Sequence, residues 1–143
     1  MTPTAILESA LYADDLDAAE DFYGRVMGLT RIAKVPGRHV FFRCGTGVLL
    51  VFDPAATQQP PAPSAKLPVP PHGTRGPGHL CFAAQADEID RWKAHLTAHG
   101  VAVEADFEWP PKDGESTGGR SIYFRDPAGN SLEFAEPRIW GLD

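Results

Sequence analysis

The chain reads as an α+β protein made of two copies of one unit, a strand, a helix and three further strands (βαβββ). Two observations predict this. The same order of apolar patterns occurs twice, with helix-start residues Leu16 and Ile89 73 positions apart and helix-end residues Gly28 and Gly100 72 apart, the mark of an internal duplication. A clear turn signature also joins the last two strand patterns, Arg120 to Phe124 and Ser131 to Ala135. Between them runs Arg125-Asp126-Pro127-Ala128-Gly129-Asn130, in which Pro127 fixes φ and Gly129 accepts φ > 0.

In the first half, Ala5 to Leu11 is a short apolar strand. Asp14-Asp15 offers a helix N-cap and Asp17 suits the first turn. Leu16, Ala19, Phe22, Tyr23, Val26 and Met27 recur at helical spacing, and Gly28 ends the helix. Thr30 to Lys34, Arg38 to Cys44 and Gly47 to Phe52 read as strands, with Gly45-Thr46-Gly47 as a hairpin turn.

The second half repeats the order. Gly78 to Ala83 is a strand. Asp87-Glu88 opens a helix that places Ile89, Trp92 and Leu96 on one face, and Gly100 ends it. Val101 to Phe107, Arg120 to Phe124 and Ser131 to Ala135 complete the unit. Residues 1–53 and 78–143 are thus expected as modules, with 54–77 between them. Asp53 to Pro77 holds eight prolines, a density that opposes helix and central strand and predicts an extended linker. The irregular segment from Pro110 to Gly119 is either a loop over a site or a plain solvent-exposed connection.

Composition narrows the function. The apolar fraction is 43% and the formal charge is -6, with a pI near 5.3. A sizeable core is expected, and a nucleic-acid partner is not, because such proteins usually carry a basic face. No apolar run approaches the ~20 residues of a membrane span. No secretory signal is visible, so the expected location is cytoplasmic. Cys44 and Cys81 fit no zinc spacing and are expected as buried free thiols.

Glu133 is the residue that asks for an explanation. Alternation places it on the face opposite Leu132 and Phe134. A mid-strand carboxylate is costly to bury without a partner. An arginine such as Arg125 or Arg43 would serve, and so would a metal ion. By themselves, Glu8 on the first strand is expected to face solvent and His79 on the fifth to be a hydrogen-bonded core histidine; it is the family resemblance given below that implies them as further ligands. The one imidazole and two carboxylates so implied suit a divalent ion such as Mn, Fe(II), Ni, Co or Zn, and leave positions open for substrate. Ser121, Tyr123 and Arg125 share a strand face that would line a substrate cavity with Glu133. Trp109 beside Pro110 is a candidate aromatic wall. His39 shares a face with Phe41 and Arg43 and is a candidate substrate or base residue. His72 in the linker, and His95 and His99 on the second helix, read as solvated, and Trp92 as helix core.

The repeated βαβββ unit resembles the vicinal oxygen chelate superfamily, which includes glyoxalase I, bleomycin-resistance proteins, fosfomycin-resistance enzymes and extradiol dioxygenases. The local matches are Asp14-Asp15-Leu16-Asp17 through Phe22-Tyr23 with Gly28-Leu29, then Gly78-His79-Leu80, then Tyr123-Phe124-Arg125-Asp126-Pro127-Ala128-Gly129-Asn130 with Glu133. The resemblance implies that each module curls a mixed sheet into a cup and that paired modules enclose a metal. It implies Glu8, His79 and Glu133 as ligands, with Glu8 standing where many members have histidine. A fourth family position falls near Val51, which cannot ligate. Glu8 or Glu133 would double as the catalytic base.

The function so implied is a metal-dependent enzyme acting on a small oxygenated molecule, working as a homodimer, with Ser121, Tyr123, Arg125, Trp109 and His39 in contact with substrate. The alternative is a drug- or metabolite-binding resistance protein without turnover. A fosfomycin-type enzyme would further need a cationic pocket, for which Arg43, Arg120 and Arg125 are the nominees. Glu8 departs from the two-histidine, one-glutamate set of ring-cleaving dioxygenases.

Overall fold

A computed structural model describes residues 1–142; Asp143, the last residue of the expected 78–143 module, lies outside the described residues. The chain forms two compact units, Met1–Gly78 and His79–Asp143. Each contains one four-stranded mixed sheet with the same topology. In the first unit, β1 (Glu8–Tyr12), β2 (Thr30–Val35), β3 (His39–Cys44) and β4 (Gly47–Phe52) lie in the order β1-β4-β3-β2. In the second, β5 (His79–Ala83), β6 (Ala105–Glu108), β7 (Arg120–Arg125) and β8 (Ser131–Ala135) lie in the order β5-β8-β7-β6. One edge pair is parallel in each sheet, β1 with β4 and β5 with β8, and the remaining pairs are antiparallel. Parallel pairing needs a crossover, and in each unit the chain between the paired strands supplies a helix that covers one sheet face.

Helix α1 (Leu16–Asp21) begins where Asp15 accepts from the Ala18 N–H at 3.0 Å. The expected single helix to Met27 changes pitch: Phe22–Val26 form one π turn, closed by Met27 N–H to the Phe22 carbonyl at 2.9 Å. Gly24 sits inside it, a weak helix former, and the wider turn buries Phe22, Tyr23 and Val26 together. Tyr23 packs on Phe42 with ring centroids 5.7 Å apart, and Val40, Leu49 and Val51 complete this core.

Helix α3 (Ala86–Ala98) covers the second sheet. Ile89 and Leu96 are fully buried among Ile122, Phe124 and Leu132, and Trp92 stacks on Phe134 at 4.4 Å. The Glu88 carboxylate accepts the Gln85 N–H at 2.7 Å, a backward cap that starts the helix one residue earlier than Asp87.

Three local expectations are corrected. The first strand begins at Glu8 rather than Ala5. The sixth is confined to Ala105–Glu108, because the Val101 N–H is drawn back to the Leu96 carbonyl at the end of α3. The proline-rich segment is not wholly extended: Pro54 occupies the first turn of a short helix, α2 (Pro54–Thr57), capped by Asp53, and proline is favoured there because its missing N–H would be unpaired anyway. Among the described residues no helix is long and apolar enough to cross a membrane.

Candidate functional site

In each unit one sheet face is packed under helix and the other carries the polar residues. In the second unit the register pairs Cys81 with Glu133 and Tyr123 with Glu133, so these three stand side by side. His79 and Ser121 lie on the same face by alternation.

Glu133 is 5% exposed. Its Oε2 lies 3.3 Å from Nε2 of His79, and its Oε1 is buried with no hydrogen-bond partner. Nδ1 of His79 is 2.9 Å from the Ser131 carbonyl oxygen. A carbonyl only accepts, so Nδ1 carries the hydrogen. The Nε2 lone pair of the neutral ring then faces a carboxylate, an arrangement that a proton or a cation between the two relieves. A metal-ligating histidine is commonly oriented through its other nitrogen in this way. The donor set therefore fits a divalent ion: an imidazole nitrogen held in register and a carboxylate with an orphaned oxygen. Glu8 stands on the first unit, exposed, at the start of β1. Among the described residues no three His, Cys, Asp or Glu side chains gather as a metal cluster.

The surroundings of Glu133 are aromatic. Tyr123 stacks on Phe107 at 5.7 Å and on His79 at 6.2 Å, and Phe107 meets the edge of Trp109 at 5.1 Å. Trp109 donates its indole N–H to the Ser121 hydroxyl at 2.8 Å. Burial, then the adjacent Glu133 carboxylate through hydrogen bond and charge, push the Tyr123 phenol up to about 12. The same two causes push the Cys81 thiol up to about 12, so it is a neutral neighbour and not a thiolate nucleophile. Neither cysteine is fully buried, against expectation: both are free, Cys44 is half-buried, and Cys81 is exposed because it lies on the face that no helix covers.

Arg125 turns away from Glu133. It pairs with Glu104 at 3.0 Å and reaches the Gly129 carbonyl at 3.1 Å, because it stands opposite Ser131, at the end of its strand. Arg120 is held by Asp106 at 2.8 Å and Asp90 at 2.6 Å. Two of the three arginines named for a phosphonate pocket are thus committed elsewhere. Phe107 and Cys81 belong to the site neighbourhood and were not singled out from sequence. The signal was present: each alternates onto the same face as a named neighbour.

In the first unit the polar face bears Glu8, Tyr12, His39 and Phe41 beside Leu50 and Phe52. Leu50, paired with Ala10, occupies the place that Glu133, paired with Cys81, takes in the second unit. The non-ligating fourth position is therefore Leu50; Val51 is fully buried on the opposite face. His39 stacks on Phe41 at 4.0 Å. The linker folds onto this face: Tyr12 and His72 share a hydrogen bond of 2.7 Å, so His72 is not free in solvent.

Two βαβββ units, each with one sheet face under helix and one polar face, define an α+β protein of repeated modules. The chain belongs to the Glyoxalase/Bleomycin resistance protein/Dioxygenase superfamily, whose model matches residues 5–134. It is similar to the crystal structure of lactoylglutathione lyase from Agrobacterium tumefaciens, with 47% identity, coverage of 99% of this chain and 100% of that one, and a TM-score of 0.90. A glyoxalase/bleomycin resistance protein/dioxygenase from Nocardioides shares the fold at 22% identity, with a TM-score of 0.70 over 95% of this chain and 85% of that one. A virulence protein from Salmonella typhimurium does so at 23% identity, with a TM-score of 0.67 over 95% and 98%. None of the curated proteins compared with the chain matches it.

Proposed function

We propose that this protein is a metal-dependent enzyme acting on a small oxygenated molecule, and that lactoylglutathione lyase activity, the activity named for the 47% identical relative, is the first to test. The observation that carries the reading is the buried Glu133 carboxylate set against the exposed His79 ring, with Nε2 facing Oε2 at 3.3 Å and Oε1 unpartnered. His79 and Glu133 would hold the ion, which is Mn, Fe, Ni, Co or Zn, and Glu8 is proposed as the third ligand on the strength of the resemblance alone. Such an ion supplies Lewis acidity to substrate oxygens.

The chain's own groups do the rest. Glu133 stands beside Tyr123 and can accept a proton at Oε1, which meets no donor in the sheet. Tyr123 stays a phenol at neutral pH and offers a donor to a developing oxyanion. Ser121, pinned by the Trp109 indole, fixes that wall. The proposed setting is a cytoplasmic homodimer.

A second reading, a binding protein without turnover, draws on the same aromatic wall: stacked rings from Trp109 to His79 would take a flat drug or metabolite. Elemental analysis of protein purified without chelator separates the two. Near-stoichiometric metal in the parent, lost in Glu133→Ala, together with growth of thioester absorbance from the hemithioacetal of methylglyoxal and glutathione in the parent and not in the variant, is the expected result. No metal after incubation with Mn, Fe(II), Ni, Co and Zn sinks the enzyme reading and leaves the binder.

A further inference from the structure

The loop between β6 and β7 begins at the aromatic wall. Trp109 follows the last residue of β6 and precedes Pro110 and Pro111, which have no N–H with which to extend the ladder. The backbone of Trp109 is held instead from the far end of the loop. Its N–H donates to the Gly119 carbonyl at 2.7 Å, and its carbonyl accepts the Gly118 N–H at 3.0 Å. The two ends approach so closely that a Cβ at Gly118 would lie 2.2 Å from the Pro110 carbonyl oxygen, a place only glycine can take.

The returning end of the loop is fixed in turn by the end of the chain. After β8, Pro137–Trp140 form one 3-10 turn. Arg138 donates through Nη1 to the Thr117 carbonyl at 2.9 Å and through Nε to Oε1 of Glu136 at 3.0 Å. The Thr117 hydroxyl accepts the Gly119 N–H at 3.2 Å. Glu136 is buried, and its Oε2 accepts the N–H of Arg120, the first residue of β7, at 2.7 Å. Lys112 adds a second tie, to the Ile139 carbonyl at 3.2 Å. A continuous set of bonds therefore runs from β7 through Glu136, Arg138 and Thr117 to the backbone of Trp109. Its middle is charge-assisted, and one guanidinium spans a carboxylate and a carbonyl, which suits the rigid fork of arginine.

Trp109 needs such a hold. Its ring is 38% exposed, meets Phe107 edge-on at 5.1 Å and is pinned at the indole N–H by Ser121. The sheet thus fixes the tip of the side chain, and the loop fixes its root. We propose that Glu136 and Arg138 are positioning residues of the candidate site: they hold the root of Trp109 and so keep its ring in the wall on which the substrate lies. The proposal rests on the reading of this face as the substrate site. Because it acts through Trp109 and not through His79 or Glu133, its effect falls on substrate affinity and not on the metal.

The test is hydrogen exchange of the indole N–H groups, followed by NMR on the full chain carrying isotope-labelled tryptophan. The tryptophans are Trp92, Trp109 and Trp140, and Trp109→Phe identifies the signal that matters. Arg138→Gln should speed exchange at the Trp109 indole about tenfold, the size of one charge-assisted bond. Trp92, stacked on Phe134 under α3, should exchange as in the parent. Glu136→Gln, which removes the charge that holds the guanidinium, should act in the same way, and Arg138→Lys, which keeps a cation there, should fall between parent and Arg138→Gln. With the hemithioacetal of methylglyoxal and glutathione as substrate, Arg138→Gln should raise KM about tenfold with kcat and metal content as in the parent. Added to Trp109→Ala it should change nothing further, since both act through one ring. Unchanged exchange at Trp109, acceleration of every indole alike, or additive effects of the two substitutions each overturns the proposal. A parent without turnover overturns the enzyme reading and the effect on KM with it, while the exchange rates still decide whether Arg138 holds Trp109.

Discussion

Asp126 is 4% exposed, yet its carboxylate is fully used. Oδ1 accepts the N–H groups of Ala128 at 3.0 Å and Asn130 at 2.9 Å, and Oδ2 accepts the Asn130 side-chain amide at 2.9 Å. With Gly129 at φ 88, these bonds close the β7–β8 turn, and the turn sets the register that places Glu133 beside Tyr123 and Cys81. The Asp-Pro-Ala-Gly-Asn signature is therefore structural, and it acts on the site only through register. Asp126→Ala strands buried N–H donors and is expected to cost about 2–3 kcal/mol; a denaturation midpoint like that of the parent would refute this. Glu133 was legible from the same stretch, because a carboxylate alternating with Leu132 and Phe134 has few places to go. That His79 would meet it was legible only through resemblance: the contact depends on Ser131 pairing with His79 across 52 positions, which no local pattern encodes.

At the level of elements, the strands and α3 were legible because their apolar residues keep a clean period of two or 3.6. The π turn was not, since Phe22, Tyr23, Val26 and Met27 satisfy an α-helical pattern equally well and only packing chooses the wider turn. The linker misled for a different reason. Proline opposes helix interiors, but a single Pro54 at the first turn behind an Asp53 cap promotes one. The tie between α3 and its sheet was equally invisible, because it is ionic: Asp90 and Lys93 of α3 meet Arg120 and Asp106 of the strands beneath. The Arg120 guanidinium, then Lys93, lower the Asp106 carboxyl from 3.8 to about 2. A carboxyl depressed on folding contributes stability above its unfolded pKa, and that contribution fades as pH falls through 3.8 toward 2. The pair lies near the surface, so solvent screening limits the effect to about 1 kcal/mol or less. Asp106→Asn should lower the melting temperature slightly at pH 6 and make no difference at pH 2; an equal deficit at both would show the loss to be one of packing.

Across the whole molecule the duplication is visible in register. β1 pairs with β4 as β5 pairs with β8, and Glu8 stands where His79 does, Leu50 where Glu133 does. One unit thus keeps a full nitrogen–carboxylate pair and the other keeps a lone carboxylate over an apolar floor. The resemblance places this family position near Val51, one residue from Leu50, because strand register is not encoded in the local pattern. The pair that is kept carries a cost without a ligand, since a lone pair and a carboxylate face each other and the buried Oε1 has no partner. This yields a two-part prediction for Glu133→Gln. Without metal, the amide can donate to Nε2 of His79, so the variant should melt no lower than the parent. With free metal at a hundred times its dissociation constant, the parent should gain about 2.7 kcal/mol, or roughly 5–10 °C in melting temperature for a chain of this size, while the variant gains nothing. A parent indifferent to every divalent ion tried would remove the metal from the reading. A variant that melts well below the parent in the absence of metal would instead make Glu133 a structural residue, whose buried carboxylate holds the sheet together through Tyr123 and His79.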